Sequence, residues 1–493
     1  MNASTAPRIR CARLNQRSAD YARIAQPPAS RWAARRASNR PENQFVKADS
    51  WFLATIVIER FVTRLFTEKL GWLPDWANFL DYPMLVLFAA YVLRRIRGRR
   101  GASKETGFGL LASFLIINIG ISMLVNLDRL HPGAASLFIM GLLEPLAFMA
   151  LAYRLNPHRE VVGALAKVLV FVGWLQIVVV GIMDVPTFLV TRNPDLISGT
   201  FGKNAYQLTF FLLTWNALVL SDKAETRQRA LRQVSILMIQ AAIVVIILLA
   251  QFRSFLPFTA VTWIVTYIVV NQRPMRGFVA AAFGGSLLVG LFVAVNGLFP
   301  ELKWGEVFEL ADRTDEVYES GKFQAVLNFG HLIADQPGVL AVGTGPGTYA
   351  SRGFRTFSIA GEGDVVNRIY RDLFNSDYYV TDVAARYTLP VERYFAFGAA
   401  TTAVPWFSYL AIPAELGLPG LAIVLAIYGK AIVVSWNASR KAIWTRPLAQ
   451  WVLIGLVLLL QMAFLENWLE VSRLTVPVWL VFGVVLAQVQ TKE

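Results

Sequence analysis

The chain has 493 residues, of which 55% are hydrophobic and only 16% are charged, and its formal net charge is +14. Its mean hydropathy is +0.48. A soluble protein of this length needs far more polar surface, so the composition predicts an all-α, polytopic membrane protein. The basic excess does not indicate nucleic-acid binding, because it is concentrated in the tail and loops on one side of the predicted helical bundle.

Residues 1–49 are predicted to form a disordered, basic cytoplasmic tail. The first 50 residues carry ten Lys or Arg against three acidic residues. They also lack the apolar stretch of a cleaved signal peptide. Their single cysteine, Cys11, is the only one in the chain, which excludes an intramolecular disulfide.

Twelve apolar segments meet or approach the ~20 residues that a helix needs to cross the hydrocarbon core. In chain order these are 51–67, 76–93, 107–126, 132–152, 161–182, 205–220, 233–250, 255–270, 277–299, 404–435, 447–465 and 474–490. The first segment contains Glu59, Arg60 and Arg64, so an interfacial amphipathic helix is its alternative. The tenth is longer than one span.

The Lys and Arg content of the short loops predicts the orientation. Loops on one side carry seventeen of these residues, and loops on the other side carry six. The positive-inside rule therefore places the first set and both termini in the cytoplasm. The predicted organisation is transmembrane helices 1–9 within residues 50–299, a loop domain over 300–402 on the outer face, and transmembrane helices 10–12 within 403–493.

The large outer loop is predicted to be mainly helical. Between residues 301 and 400 it carries nine basic and fourteen acidic side chains and seven of the fifteen tyrosines. Apolar residues recur at helical spacing from Trp304 to Asp335, with a break near Gly321, and Pro337-Gly338 ends the pattern. Tyrosines suit both a wet membrane interface and the faces of sugars.

A glycine-rich segment follows this predicted helix: Gly343-Thr-Gly-Pro-Gly-Thr-Tyr349. It lacks the Lys-Ser/Thr of a phosphate-binding loop and the spacing of a dinucleotide fold. Two interpretations stay open for Gly343, Gly345 and Gly347. They allow a tight turn that needs positive φ, or they offer backbone amides to an anion.

Three arginines on the predicted outer face are candidates for binding phosphate. Arg253 lies in a turn between two spans, where an unpaired charge is costly. Arg352 and Arg355 follow the glycine segment. Planar guanidinium groups give bidentate contacts to phosphate and stabilise a diphosphate leaving group without a metal. Snorkelling at the membrane interface is the alternative interpretation.

Further polar residues lie on the same predicted face. Lys203 and Asn204 close the loop before span six, where Lys203 would add a cation to a site or contact a lipid headgroup. Glu415 begins an apolar helix, either as a helix N-terminal charge or as a base. Glu144 lies deep in span four and is predicted to pair with an intramembrane donor.

In their order and topology, these features resemble the bacterial O-antigen ligase and O-antigen polymerase superfamily. The resemblance rests on Gly199-Thr-Phe-Gly-Lys-Asn204, the Arg-Ser pair at Arg253, Gly343–Tyr349 and Glu415-Leu-Gly417, and it covers about residues 195–435. Members are integral-membrane glycosyltransferases of the C type. They take glycan from an undecaprenyl diphosphate carrier and pass it to an acceptor at the periplasmic face.

The resemblance implies that Arg253 and Arg352 bind the diphosphate and that transfer inverts the anomeric carbon without a metal or other cofactor. Glu415, from its own position, is a further catalytic candidate. Lys203, Asn204, the three glycines, Arg355 and Trp406 are the predicted substrate-binding residues. Its expected partners are the lipid-linked glycan, membrane lipids, a chain-length regulator and a flippase, in the bacterial inner membrane.

The chain departs from the ligases of this superfamily at Trp406, where they carry a histidine thought to activate the acceptor hydroxyl. Tryptophan cannot act as a base. Either Glu415, Glu392, Asp382 or His331 replaces the histidine, or the reaction needs little base. The favoured hypothesis is a polymerase that joins lipid-linked repeat units. The alternatives are a ligase that moves finished glycan to a lipid or protein, and a non-catalytic exporter of polysaccharide or lipid.

Overall fold

A computed structural model describes residues 41–96, 107–202, 204–221, 229–250, 256–271, 321–358, 381–387, 406–440 and 445–490, together with residues 293 and 297. Within these residues every regular element is a helix, and none is a strand. The predicted all-α class is therefore confirmed for this part of the chain.

The helices are numbered here in chain order. They are α1 (Pro41–Arg64), α2 (Asp81–Ile96), α3 (Phe108–Val125), α4 (Pro132–Leu155), α5 (Arg159–Val179), α6 (Val185–Thr191), α7 (Ala205–Ser221), α8 (Arg229–Leu249), α9 (Leu256–Asn271), α10 (Gly321–Asp335), α11 (Val339–Val342), α12 (Arg352–Ser358), α13 (Asp382–Tyr387), α14 (Ser408–Arg440), α15 (Arg446–Met462) and α16 (Ser472–Gln490). Short π-helices extend α1 over Leu65–Lys69 and join α5 to α6 over Val180–Asp184.

Six helical stretches among the described residues are long and apolar enough to cross a membrane. They are Trp76–Ile96, Phe108–Val125, Pro132–Leu155, Arg159–Thr191, Ser408–Arg440 and Ser472–Gln490. Four shorter apolar stretches are Ala205–Ser221, Ser235–Leu249, Phe258–Val270 and Arg446–Met462. The predicted segment 277–299 lies outside the described residues, so the count of twelve spans stays a prediction.

Helices α7 and α16 lie in the interior of the bundle. Every residue of α16 from Arg473 to Ala487 is buried, and α7 is buried over most of its length. Helix α16 packs closely on α4, where a side chain at Gly483 would overlap the Met149 carbonyl. A helix that is apolar on all sides is expected in such an enclosed position.

Helix α3, by contrast, lies at the periphery. Its apolar side chains Phe114, Ile117 and Leu124 are exposed in the folded chain. A continuous apolar surface of this kind is stable only when lipid or another protein covers it. The described residues therefore form a membrane-embedded helical protein.

A sharp break divides α14. Gly417 adopts φ 74° and ψ 174°, so the helix ends there and restarts. The residue at 419 is proline, which has no N–H for the carbonyl of Glu415. That carbonyl instead accepts hydrogen bonds from Gly345 N at 3.2 Å and Ser122 Oγ at 2.7 Å. The break explains why the tenth predicted segment exceeds one span, and it attaches the glycine segment to the bundle.

Of the predicted outer loop domain, the structure describes α10 to α13 and the turns beside them. Helix α10 spans Gly321–Asp335 and is followed by a turn at Pro337-Gly338, where the sequence pattern predicts its end. The predicted break near Gly321 adjoins residues outside the described ones and stays a prediction. The remaining residues of 300–402 lie outside the described residues, as do residues 1–40 of the predicted tail 1–49. Residues 41–49, which were predicted to be disordered, instead form the start of helix α1.

Candidate functional site

The glycine segment forms a turn around the buried carboxylate of Glu415. One carboxylate oxygen accepts the backbone N–H of Gly347 at 2.5 Å. The other accepts those of Tyr349, Ala350 and Ser351 at 2.8–3.0 Å. Glu415 is fully buried. The Glu415 carboxylate therefore occupies the backbone amides that could otherwise bind a substrate anion. This geometry favours a structural role for Glu415 over the predicted catalytic one.

The glycines themselves are required by conformation and close approach. Gly343, Gly345 and Gly347 all have φ between 73° and 101°, a region that side chains rarely adopt. A Cβ at Gly343 would overlap the backbone of Glu415, and one at Gly347 would overlap the backbone of Ala134. Of the two predicted interpretations, the structure favours the tight turn. The three glycines position the next residues and are not themselves exposed to a ligand.

Beyond this turn lies a cavity of about 280 Å³ that brings together four of the predicted site residues: Asn204, Arg352, Arg355 and Trp406. Its wall also contains Arg64, Tyr206, Gln207, Thr356, Glu466, Asn467, Trp468 and Val471. Three of these twelve residues are arginines, and Glu466 is the single carboxylate among the described residues of the wall. Lys203 and Arg253 lie outside the described residues, so their predicted roles stay predictions.

The turn fixes the direction of α12 and with it the two predicted arginines. The backbone N–H of Arg352 donates to Glu470 Oε2 at 2.7 Å, and Arg355 N donates to Ser351 O at 3.0 Å. The Arg355 guanidinium lies over the Trp406 ring, 5.1 Å from its centroid. This cation–π contact orients both side chains toward the same cavity.

Asn204 reaches the cavity through a network that starts at Asp184, at the end of the second π-helix. The Asp184 carboxylate accepts the N–H groups of Ser198 at 2.9 Å and Gly199 at 2.7 Å, and it pairs with Lys69. Asn204 Oδ1 in turn accepts the N–H of Gln207 at 3.0 Å and so caps α7. The Gly199–Asn204 segment is thereby held against the end of α1.

Arg64 was not among the predicted site residues. It lies in the last turn of α1, pairs with Glu68 at 3.0 Å, and lines the same cavity as the two arginines of α12. The signal was present in the sequence, because ionisable residues inside an apolar segment are functional candidates by default. In segment 51–67, however, the same charges also indicate an interfacial amphipathic helix, which hides this signal.

A smaller, more deeply buried cavity of about 60 Å³ adjoins the first. Both cavities share Arg64, Gln207, Arg352 and Val471 in their walls. In the smaller one Arg60 pairs with Asp81 at 2.6 Å and with Glu144. The prediction that Glu144 pairs with an intramembrane donor is confirmed, and the donor is Arg60.

Glu470 separates this smaller cavity from the glycine turn. Its Oε2 accepts Arg352 N, whereas its Oε1 has no hydrogen-bond partner among the described residues. Burial and the nearby Glu415 carboxylate raise the pKa of Glu470 well above its ordinary value. Glu470 therefore offsets less of the arginines' positive charge than an ordinary carboxylate would.

The other predicted replacements for the histidine lie elsewhere. His331 on α10 and Asp382 at the start of α13 are exposed, and neither lines the larger cavity. Glu392 lies outside the described residues. No protein-family model matches this chain, and no curated protein is significantly similar to it.

Proposed function

We propose that this protein is an inner-membrane glycosyltransferase of the polymerase type. It transfers glycan repeat units from an undecaprenyl diphosphate carrier to a growing lipid-linked polysaccharide at the periplasmic face. The observation that carries the proposal is the larger cavity, where Arg64, Arg352 and Arg355 meet in the wall of a membrane-embedded helical bundle.

The charge of the cavity fits a diphosphate. Three guanidinium groups and one carboxylate lie in the described wall. Arg64 is paired with Glu68, so the excess of positive charge that an anion would neutralise comes from Arg352 and Arg355 against Glu466. Guanidinium groups also offer paired donors that match phosphate oxygens. In a site partly shielded from water, these interactions strengthen as negative charge develops on the leaving group.

The remaining wall residues fit a sugar. Trp406, Trp468 and Tyr206 supply aromatic faces, and the Tyr206 and Trp468 rings lie 5.9 Å apart. Asn204, Gln207 and Asn467 supply carboxamides that donate to and accept from hydroxyl groups. Trp406 thus contributes a stacking surface, in keeping with its predicted substrate-binding role.

In the proposed reaction, an acceptor hydroxyl oxygen attacks the anomeric carbon of the lipid-linked glycan. The bond from this carbon to the diphosphate oxygen breaks, and the electron pair stays with undecaprenyl diphosphate. Arg352 and Arg355 stabilise the released charge. A single displacement of this kind inverts the anomeric carbon.

The proposal is tested by reconstituting the purified protein with undecaprenyl diphosphate-linked repeat units and following the products on a gel. Arg352→Ala removes one cation that faces the diphosphate, so we expect at least ~100-fold less product, comparable with the loss of one oxyanion donor. Arg386→Ala is the matched control, because Arg386 is exposed on α13 and pairs with Asp335. We expect this control to keep the wild-type rate.

The outcomes separate the proposed polymerase from its alternatives. A product ladder that Arg352→Ala abolishes supports the polymerase. Accumulation of free lipid-linked polymer in a strain lacking the protein favours a ligase. Intact substrate after incubation with folded wild-type protein and a known acceptor counts against any glycosyltransferase and favours the exporter.

A further inference from the structure

Glu466 is the single acidic side chain among the described residues that line the larger cavity. It lies in the connection between α15 and α16 and is half-buried. No feature of the sequence pattern distinguishes it from the other acidic residues of the outer loops. Its position in the folded chain does.

The backbone of Glu466 is attached to the segment that carries Trp406. The carbonyl of Glu466 accepts the N–H of Ser408 at 3.3 Å, and Ser408 Oγ accepts the N–H of Leu469 at 3.2 Å. Ser408 is two residues beyond Trp406. The fold therefore brings Glu466, from the connection between α15 and α16, close to Trp406, which cannot itself act as a base.

One cation, Lys322, lies close enough to this carboxylate to feel its charge. Lys322 on α10 donates to the carbonyl of Leu465 at 2.5 Å, next to Glu466 in the chain. Burial and the nearby Arg355 lower the pKa of Lys322 to about 8, while the negative charge of Glu466 opposes that shift. Positive neighbours favour the ionised form of a carboxylate, which is the form that can accept a proton.

The other acidic groups near the site are engaged differently. Glu415 is enclosed by four backbone N–H groups. Glu470 accepts Arg352 N and lines the smaller cavity. Among the described residues, Glu466 is the one carboxylate in the wall that also holds the arginines and the aromatic rings.

We propose that Glu466 is the catalytic base that accepts the proton of the acceptor hydroxyl. This inference rests on the proposed function. As the acceptor oxygen bonds to the anomeric carbon, its proton passes to a Glu466 carboxylate oxygen, and the electron pair of the broken carbon–oxygen bond leaves on undecaprenyl diphosphate. Glu466 then returns the proton to water.

The test uses the full-length protein in liposomes with a lipid-linked repeat unit, and it compares two nucleophiles. Transfer to a glycan hydroxyl needs a base, so Glu466→Gln and Glu466→Ala should lower its rate by ~100-fold or more. Azide carries no proton to remove. With azide as nucleophile, Glu466→Ala should therefore form glycosyl azide at a rate within a few-fold of wild type.

Two further variants complete the design. Arg352→Ala should be slow with both nucleophiles, because it affects the leaving group. Asp195→Asn, which changes an exposed acidic residue that does not line the cavity, should be normal with both. Binding of the lipid-linked donor by each variant, measured separately, shows that the cavity has formed.

The possible results are distinguishable. Glycan transfer by Glu466→Gln at a rate within threefold of wild type would overturn the base assignment and leave the proposed function intact. So would a Glu466→Ala protein that binds donor but yields no glycosyl azide. Wild-type protein that neither binds nor cleaves the donor would overturn the proposed function, and this inference with it.

Discussion

At the scale of single residues, two glutamates of the C-terminal half have contrasting surroundings. Glu415 is fully buried and its carboxylate accepts four backbone N–H groups. Glu466 is half-buried in a cavity wall beside cationic side chains. A carboxylate enclosed by backbone amides is held in place and out of reach of a substrate, whereas one in the wall of a cavity can meet a substrate.

Replacing Glu415 with Gln should lower the free energy of unfolding by about 3 kcal/mol or more. The side-chain NH2 of the glutamine would face backbone N–H donors, and some of these buried donors would lose their acceptor. The measurement is thermal unfolding in detergent, followed by tryptophan fluorescence. Glu160→Gln, an exposed change on α5, is the control. A Glu415→Gln protein of normal stability but without transferase activity would instead support the catalytic role that the sequence predicted.

Residue types alone predicted part of the site. Arg352, Arg355, Asn204 and Trp406 do converge on one cavity, because each is next to a turn or helix end that the sequence marks. The partner of Glu415 could not be predicted, since the direction of successive backbone amides depends on the conformation of the turn. Glu466 could not be predicted either, because its place depends on contacts between elements that are about 60 residues apart.

At the scale of elements, the glycine turn and the break in α14 fit each other. Thr344 N donates to Ala414 O at 2.8 Å, and a Cβ at Gly417 would lie 2.7 Å from the Ala341 carbonyl. Neither the glycine turn nor the break in α14 can shift alone, because the backbone of each lies where a Cβ on a glycine of the other would be. The orientation of α12, and so of its arginines, follows from this contact.

Gly343→Ala should therefore lower stability by roughly 3 kcal/mol, because it combines an unfavourable positive φ with overlap against the Glu415 backbone. Unfolding in detergent and donor binding would both be measured. Gly338→Ala is the matched control, since Gly338 has φ −59° and open space around its Cα. Equal stability of the two variants would contradict the proposed packing of the turn.

At the scale of the whole molecule, hydropathy was a good guide to helices and a poorer guide to burial. Each predicted apolar segment that lies within the described residues coincides with a helix. The sequence did not show which helices are central, because lipid and protein interior both favour apolar side chains. Helix α16 is buried all round, and α3 exposes Phe114 and Leu124, yet both are predominantly apolar.

The predicted orientation can be measured with engineered cysteines, since Cys11 is the only native one. In a Cys11→Ser background, Asp195→Cys should react with an impermeant maleimide in intact spheroplasts. Glu160→Cys should react only after lysis. Both positions are exposed in the structure. The reverse labelling pattern would place the larger cavity on the cytoplasmic side and would contradict the proposed periplasmic reaction.

The location of the cavity wall along the chain has a consequence for biosynthesis. The site combines Arg64 near the start of the bundle with Asn467 and Trp468 after α15, and Glu470 fixes the backbone of Arg352. A ribosome must therefore synthesise more than 400 residues after Arg64 before this wall can close. A nascent chain with its early helices already inserted carries Arg64 and its partner Glu68 but not the rest of the wall, so the arginine cavity forms only once the last helices are in place.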